Sequence, residues 1–196
     1  MVGINMSVYS SITPLETLEK RLMQRETPDF LERKLEGLIP VFVYGSLREG
    51  FHNHDVVKGN HYLGSAVTSI EKYEMREPSH GGFPLVFERS SDATCKTKGK
   101  INGEVYVVDP ITLLELDQLE GNGRMYTRRQ QWVYLKDQQL GNKSNIRPSI
   151  FVWMYMAQPK FWEHKGHYQC ANKVNNGTRV YDWADCATYQ DQGSYQ

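Results

Sequence analysis

Apolar residues recur at helical spacing along the first forty positions, as Leu15, Leu18 and Leu22 and then Phe30, Leu31, Leu35 and Leu38. Each stretch carries its own start signal. Thr13 can cap, Pro14 suits the first helical position and Glu16 completes a capping box; Thr27, Pro28 and Asp29 open the second stretch. Gly37 and Pro40 end that pattern. A helical extension is therefore expected over residues 1–38. Its stripes are expected to pack on the rest of the chain or, alternatively, to form a homodimer or partner surface.

From residue 39 the period changes. VFVY at 41–44 is a short run of β-formers stopped by Gly45 and Ser46. A short helix is expected over 51–57 and extended segments over 61–69, 72–76 and 83–88. Turn residues fill 78–82, and a polar loop covers 90–100. A strand follows at 104–108. Asp109 can cap a helix with Pro110 in first place, presenting Leu113, Leu114, Leu116 and Leu119 before Gly121 and Gly123 end it. Strands are expected over 129–135 and 149–156. The tail beyond Pro159 has no clear period, and TRVYDW at 178–183 is its best strand candidate.

Composition narrows the class. A chain of 196 residues suits one domain, here residues 39–196, with a sizeable core. Lys and Arg number 23, as do Asp and Glu, so charge-driven binding to nucleic acid or to a membrane surface is not expected. No stretch approaches the ~20 apolar residues of a membrane span, and the start lacks a secretory signal. Cys95, Cys170 and Cys186 are odd in number and lack metal-ligand spacing, which points to a reducing cytoplasm.

Two places carry candidate chemistry. Tyr44, Gly45, Ser46 and Leu47 end a buried strand abruptly, and successive N–H groups at such a tip can bind a carboxylate or a developing oxyanion. Glu120 follows a helix C-terminus, where the macrodipole disfavours a carboxylate. A raised pKa there would suit general acid–base work. His52, His54 and His61 do not make a convincing metal site, and His54 is expected to support the 44–47 loop by a hydrogen bond. Ser46 lacks the flanking pattern of a nucleophile.

In order, VFVYGSLREGFHNH (41–54), FPLV (83–86), GEVYVVD (103–109), LLELDQLEG (113–121) and Tyr126-Thr127-Arg128 resemble the γ-glutamylcyclotransferase-like superfamily, especially its γ-glutamylamine cyclotransferase branch. The resemblance implies an α+β fold, a small mixed β-barrel flanked by helices. It implies a loop at Tyr44, Gly45, Ser46 and Leu47 that holds the γ-glutamyl portion, Glu120 as general acid and base, and Tyr126 as a pocket aromatic. The implied reaction releases 5-oxoproline from a small γ-glutamyl amine or amino-acid conjugate, without metal or cofactor. The rival readings are a pocket that binds a small ligand without turnover, and an interaction protein acting through its N-terminal helices.

Overall fold

The apolar run at 41–44 is buried on both faces, which is why it shows no polar alternation. The computed structural model describes residues 38–89, 97–136, 148–170 and 172–186. These form ten strands: β1 (Ile39–Val43), β2 (His61–Thr68), β3 (Tyr73–Pro78), β4 (Leu85–Glu88), β5 (Lys100–Val108), β6 (Tyr126–Leu135), β7 (Ser149–Ala157), β8 (His167–Gln169), β9 (Asn172–Asn175) and β10 (Thr178–Tyr181). Helix α1 spans Pro110–Leu119, a one-turn α2 spans Pro159–Trp162, and 3-10 turns occupy His54–Val56 and Trp183–Asp185. Apart from Leu38, the helical extension expected over 1–38, with its partner surface, lies outside the described residues. So does most of the 90–100 loop.

Strand β1 pairs in parallel with β7 and antiparallel with β5. Antiparallel pairs β5–β2, β2–β6 and β6–β7 complete a five-stranded ring, so the barrel is closed and mixed. Alternate residues of β1 join two apolar clusters. Phe42 packs with Val105, Val107, Ile150, Val152 and Met154. Val41 and Val43 pack with Tyr106, Val108, Leu116, Tyr155 and Trp162. The same alternation runs along β5 and β7, the period-2 geometry of strands buried on both sides.

Three expectations need correction. The expected 51–57 helix shrinks to a 3-10 turn at His54–Val56. On α1, Leu116 is fully buried and Leu113 half-buried, but Leu114 and Ile111 are 62% and 69% exposed. At 100° per residue Leu114 points away from Leu116, so the leucine run does not make one stripe. The tail, read as aperiodic except at 178–183, holds three short strands. β9 and β10 form a hairpin beside β5, and β8 pairs with β3 in a second sheet, β4-β3-β8. Trp162 and Trp183 are buried anchors for these segments. Losing such a Trp costs about 3–5 kcal/mol, enough to hold a short polar segment in place. Cys170 and Cys186 are free thiols buried together in one cluster, with hydrogen bonding between them pushing the Cys170 thiol pKa up.

Candidate active site

Strand β1 delivers the loop that follows it. The chain turns at Gly45, whose carbonyl accepts the Arg48 N–H at 3.0 Å. A Cβ on Gly45 would lie 2.5 Å from Cγ of Pro84, so only glycine fits there. The N–H groups of Ser46 and Leu47 donate to no protein atom among the described residues. Residues 53 and 54 hold the loop from behind. Asn53 donates its N–H to the Ser46 carbonyl and Nδ2 to Ser46 Oγ, both at 3.0 Å. His54 donates from Nδ1 to the Leu47 carbonyl at 3.2 Å, the supporting role expected of it.

Helix α1 delivers Glu120. Its start is capped by Asp109, whose Oδ1 accepts the Thr112 N–H at 2.7 Å, and Glu120 is the C-cap, with its N–H on the Leu116 carbonyl. The glycines behind it read as flexible, but the segment is pinned. Gly121 and Gly123 adopt φ of +56° and +86°, which favours glycine. Asn122 donates its N–H to the Asp117 carbonyl and Nδ2 to Asp117 Oδ1, and its own Oδ1 accepts the Arg128 N–H. Asp117 also accepts the Tyr155 hydroxyl at 2.7 Å. The backbone of Glu120 is thereby fixed on both sides.

Tyr44, Gly45, Ser46, Leu47, Glu120 and Tyr126 all line one cavity of about 210 Å³. Phe83, Pro84, Met125 and Tyr155 complete much of its wall. Tyr44 donates its hydroxyl to the Tyr155 carbonyl at 2.6 Å, and Tyr126 to the Pro84 carbonyl at 3.0 Å. Burial, reinforced by neighbouring charge, keeps both phenols well above their ordinary pKa, so neither serves as a base near neutrality.

Glu120 is different. As a residue it is half-buried and lines the cavity, and its carboxyl is closely surrounded by protein. Burial alone pushes its pKa up to about 7. Nothing among the described side chains offsets that burial: the nearby Tyr44, Tyr126 and Tyr155 hydroxyls donate elsewhere. The tip of the strand and the end of the helix thus present amide donors and a proton acceptor to the same space.

Tyr155 and Met125 were not nominated from sequence. The Tyr155 hydroxyl, set in the otherwise apolar run SIFVWMYM, is the signal that could have marked it. Met125 carried none: its carbonyl is held by Trp162 Nε1 at 2.9 Å, a contact that sequence separation conceals. Among the described residues no group of three His, Cys, Asp or Glu is arranged to hold a metal, and no helix is long and apolar enough to cross a membrane.

The sequence profile described as gamma-glutamyl cyclotransferase, AIG2-like matches residues 41–183, well over half of the chain and inclusive of both site segments. The chain belongs to this family. A relative from Methanocaldococcus jannaschii, named provisionally as a gamma-glutamylcyclotransferase, is 40% identical over 96 residues, covering 48% of this chain and 72% of the relative. The gamma-glutamylcyclotransferase family protein YtfP of Escherichia coli K12 is 34% identical over 91 residues, covering 45% and 68%. A crystal structure of an AIG2-like protein from Mus musculus superposes with a TM-score of 0.50 at 22% identity, over 67% of this chain and 86% of that one. That likeness supports the fold. Family membership makes the chain an enzyme of the γ-glutamylcyclotransferase type.

Proposed function

We propose that the cavity cleaves a small γ-glutamyl amine by intramolecular cyclisation, releasing 5-oxoproline and the free amine. The observation that carries this reading is the unpaired Glu120 carboxylate, with its raised pKa, in one cavity with the undonated Ser46 and Leu47 amides. In the substrate the α-amino nitrogen and the γ-carbonyl carbon belong to one chain, so their bond closes a five-membered lactam. Holding the reactive conformer is worth roughly 7–11 kcal/mol. Glu120 accepts a proton from the α-ammonium, the amine attacks, and the loop amides hold the γ-glutamyl portion or the developing oxyanion. Collapse breaks the bond to the leaving nitrogen, to which Glu120 returns that proton, and the second proton of the ring nitrogen passes to the departing amine, which leaves as an ammonium. Water takes no part.

The leaving group is an amine rather than an α-amino acid. Among the described residues neither Lys nor Arg lines the cavity, whose wall beyond Glu120 includes Phe83, Leu119 and Met125. A leaving group with its own carboxylate would lose water there and meet neither Lys nor Arg, His52 being the one basic side chain among the described residues that line the cavity. The buried free thiols Cys170 and Cys186 suit a reducing, cytoplasmic setting.

Assaying matched γ-glutamyl conjugates by mass spectrometry for 5-oxoproline tests this reading. A γ-glutamyl alkylamine is expected to turn over at least about tenfold faster than the γ-glutamyl amino acid of similar size, the minimum cost of an unpaired charge. Absence of 5-oxoproline from every conjugate contradicts cyclisation, and a preference for the amino acid contradicts the amine assignment. The pH profile follows from the same carboxyl. A proton acceptor must be ionised, so kcat/KM should rise with pH through about 7 and level off above it.

A further inference from the structure

We infer that Asp182, in the C-terminal hook after β10, is a positioning residue for the substrate loop and acts through Arg48. The inference rests on the proposed role of residues 44–47 as the substrate loop. Arg48 is the next residue along, and 134 positions separate it from Asp182. Its Nη1 donates to Asp182 Oδ1 at 2.6 Å, and its Nε to Glu104 Oε1 on β5 at 3.3 Å. The guanidinium therefore bridges two carboxylates from different parts of the chain.

Both carboxylates are themselves fixed. Glu104 Oε2 accepts the Glu49 N–H at 3.0 Å and the Tyr106 hydroxyl at 3.1 Å. Asp182 accepts Asn102 Nδ2 and the Ala184 N–H, both at 3.1 Å. The hook cannot drift, because β10 pairs with β5 on one side and Trp183 is fully buried on the other. The three charged side chains are only 12–22% exposed, so solvent screens them weakly and the geometry of the pairs persists.

This arrangement completes the support of the loop. Asn53 and His54 hold Ser46 and Leu47 from the following turn, while Arg48 and the Glu49 amide tie the downstream end to β5 and the hook. Without the hook, the guanidinium keeps one carboxylate, Glu104, and its stacking on the Phe51 ring, and the downstream end can pivot about them. Holding of the γ-glutamyl portion by amide donors at set positions weakens with such movement, which raises KM while proton transfer at Glu120 keeps its rate.

The test is Asp182→Asn, which keeps the size of the side chain and an Oδ1 acceptor for the Ala184 N–H while removing the charge facing Arg48. Two readouts are taken on the full chain, well below its melting temperature. Amide hydrogen exchange over residues 44–50, measured without substrate, should accelerate about tenfold, and KM for a γ-glutamyl amine should rise about tenfold with kcat within threefold of wild type. Arg48→Met should do the same, and the double variant should be no worse than either single one.

Unchanged exchange and KM in Asp182→Asn would overturn the inference. So would a fall in kcat at constant KM, which marks loss of folded protein, or full additivity in the double variant. The exchange arm needs no turnover. A wild type that releases no 5-oxoproline contradicts the proposed reaction, whereas unaltered exchange contradicts the clamp.

Discussion

Glu120→Gln is expected to lower kcat by about 10²–10⁴-fold, the usual contribution of a positioned general acid–base group. The amide keeps the shape of the carboxyl and can neither take nor return a proton. KM should change far less, because the loop amides that hold the γ-glutamyl portion are untouched. The same variant should be more stable than wild type at alkaline pH. The folded-state pKa of Glu120 lies near 7, above its ordinary value of 4.5, so the fold favours the protonated form. That favourable contribution is fully present below about 4.5 and is lost as pH rises through about 7. At pH 8 the wild type holds an ionised carboxylate without a partner among the described side chains; the Gln variant does not. Its melting temperature should exceed that of wild type at pH 8, and the gap should close toward pH 5. A gain in stability with a loss of activity is the signature of a group kept for chemistry. Equal melting curves at both pH values would contradict the buried, unpaired placement.

Gly45→Ala is the second large effect. Its added methyl would lie 2.5 Å from Cγ and 2.6 Å from Cδ of Pro84, a ring that cannot swing aside as a long chain can. Either the loop or the 83–84 segment has to move, and both line the cavity. The overpacking should cost about 1–3 kcal/mol of stability. Displacing the Ser46 and Leu47 amides should cost ~10²-fold in kcat/KM. Steady-state kinetics at a temperature where the variant remains folded separates the two losses. Wild-type kcat/KM in Gly45→Ala would show that the loop amides are not part of the machinery.

The parts of this site that were legible in the sequence are those with local causes. A strand of apolar residues on both faces ends where Gly45 must turn, and a capped helix ends at a carboxylate its dipole disfavours. Each signal lies within about ten residues, and the order of the segments links them to a family. What was not legible depends on distant partners. Gly121, Asn122 and Gly123 look loose by composition because the groups that pin them, Asp117 and Arg128, act through side chains and register. Leu114 and Leu116 belong to one leucine-rich run, yet Leu114 faces solvent, since such a run alone does not set which side of a helix is covered. Strands β8, β9 and β10 are three or four residues long and mostly polar at their exposed positions, too short for any period to emerge. Their place is fixed by Trp183 in the core and by pairing to β3 and β5. Asp182 and Arg48 meet only because that tail folds back.

In the proposed reaction Glu120 drives cyclisation of the substrate on itself. Its most direct test is turnover of a γ-glutamyl amine in ¹⁸O-labelled water, with product masses quantified. The expected result is unlabelled 5-oxoproline and free amine in equal amounts, at a rate that falls by about 10²–10⁴-fold in Glu120→Gln. Labelled glutamate as the product, or release of 5-oxoproline by Glu120→Gln at the wild-type rate, would contradict it.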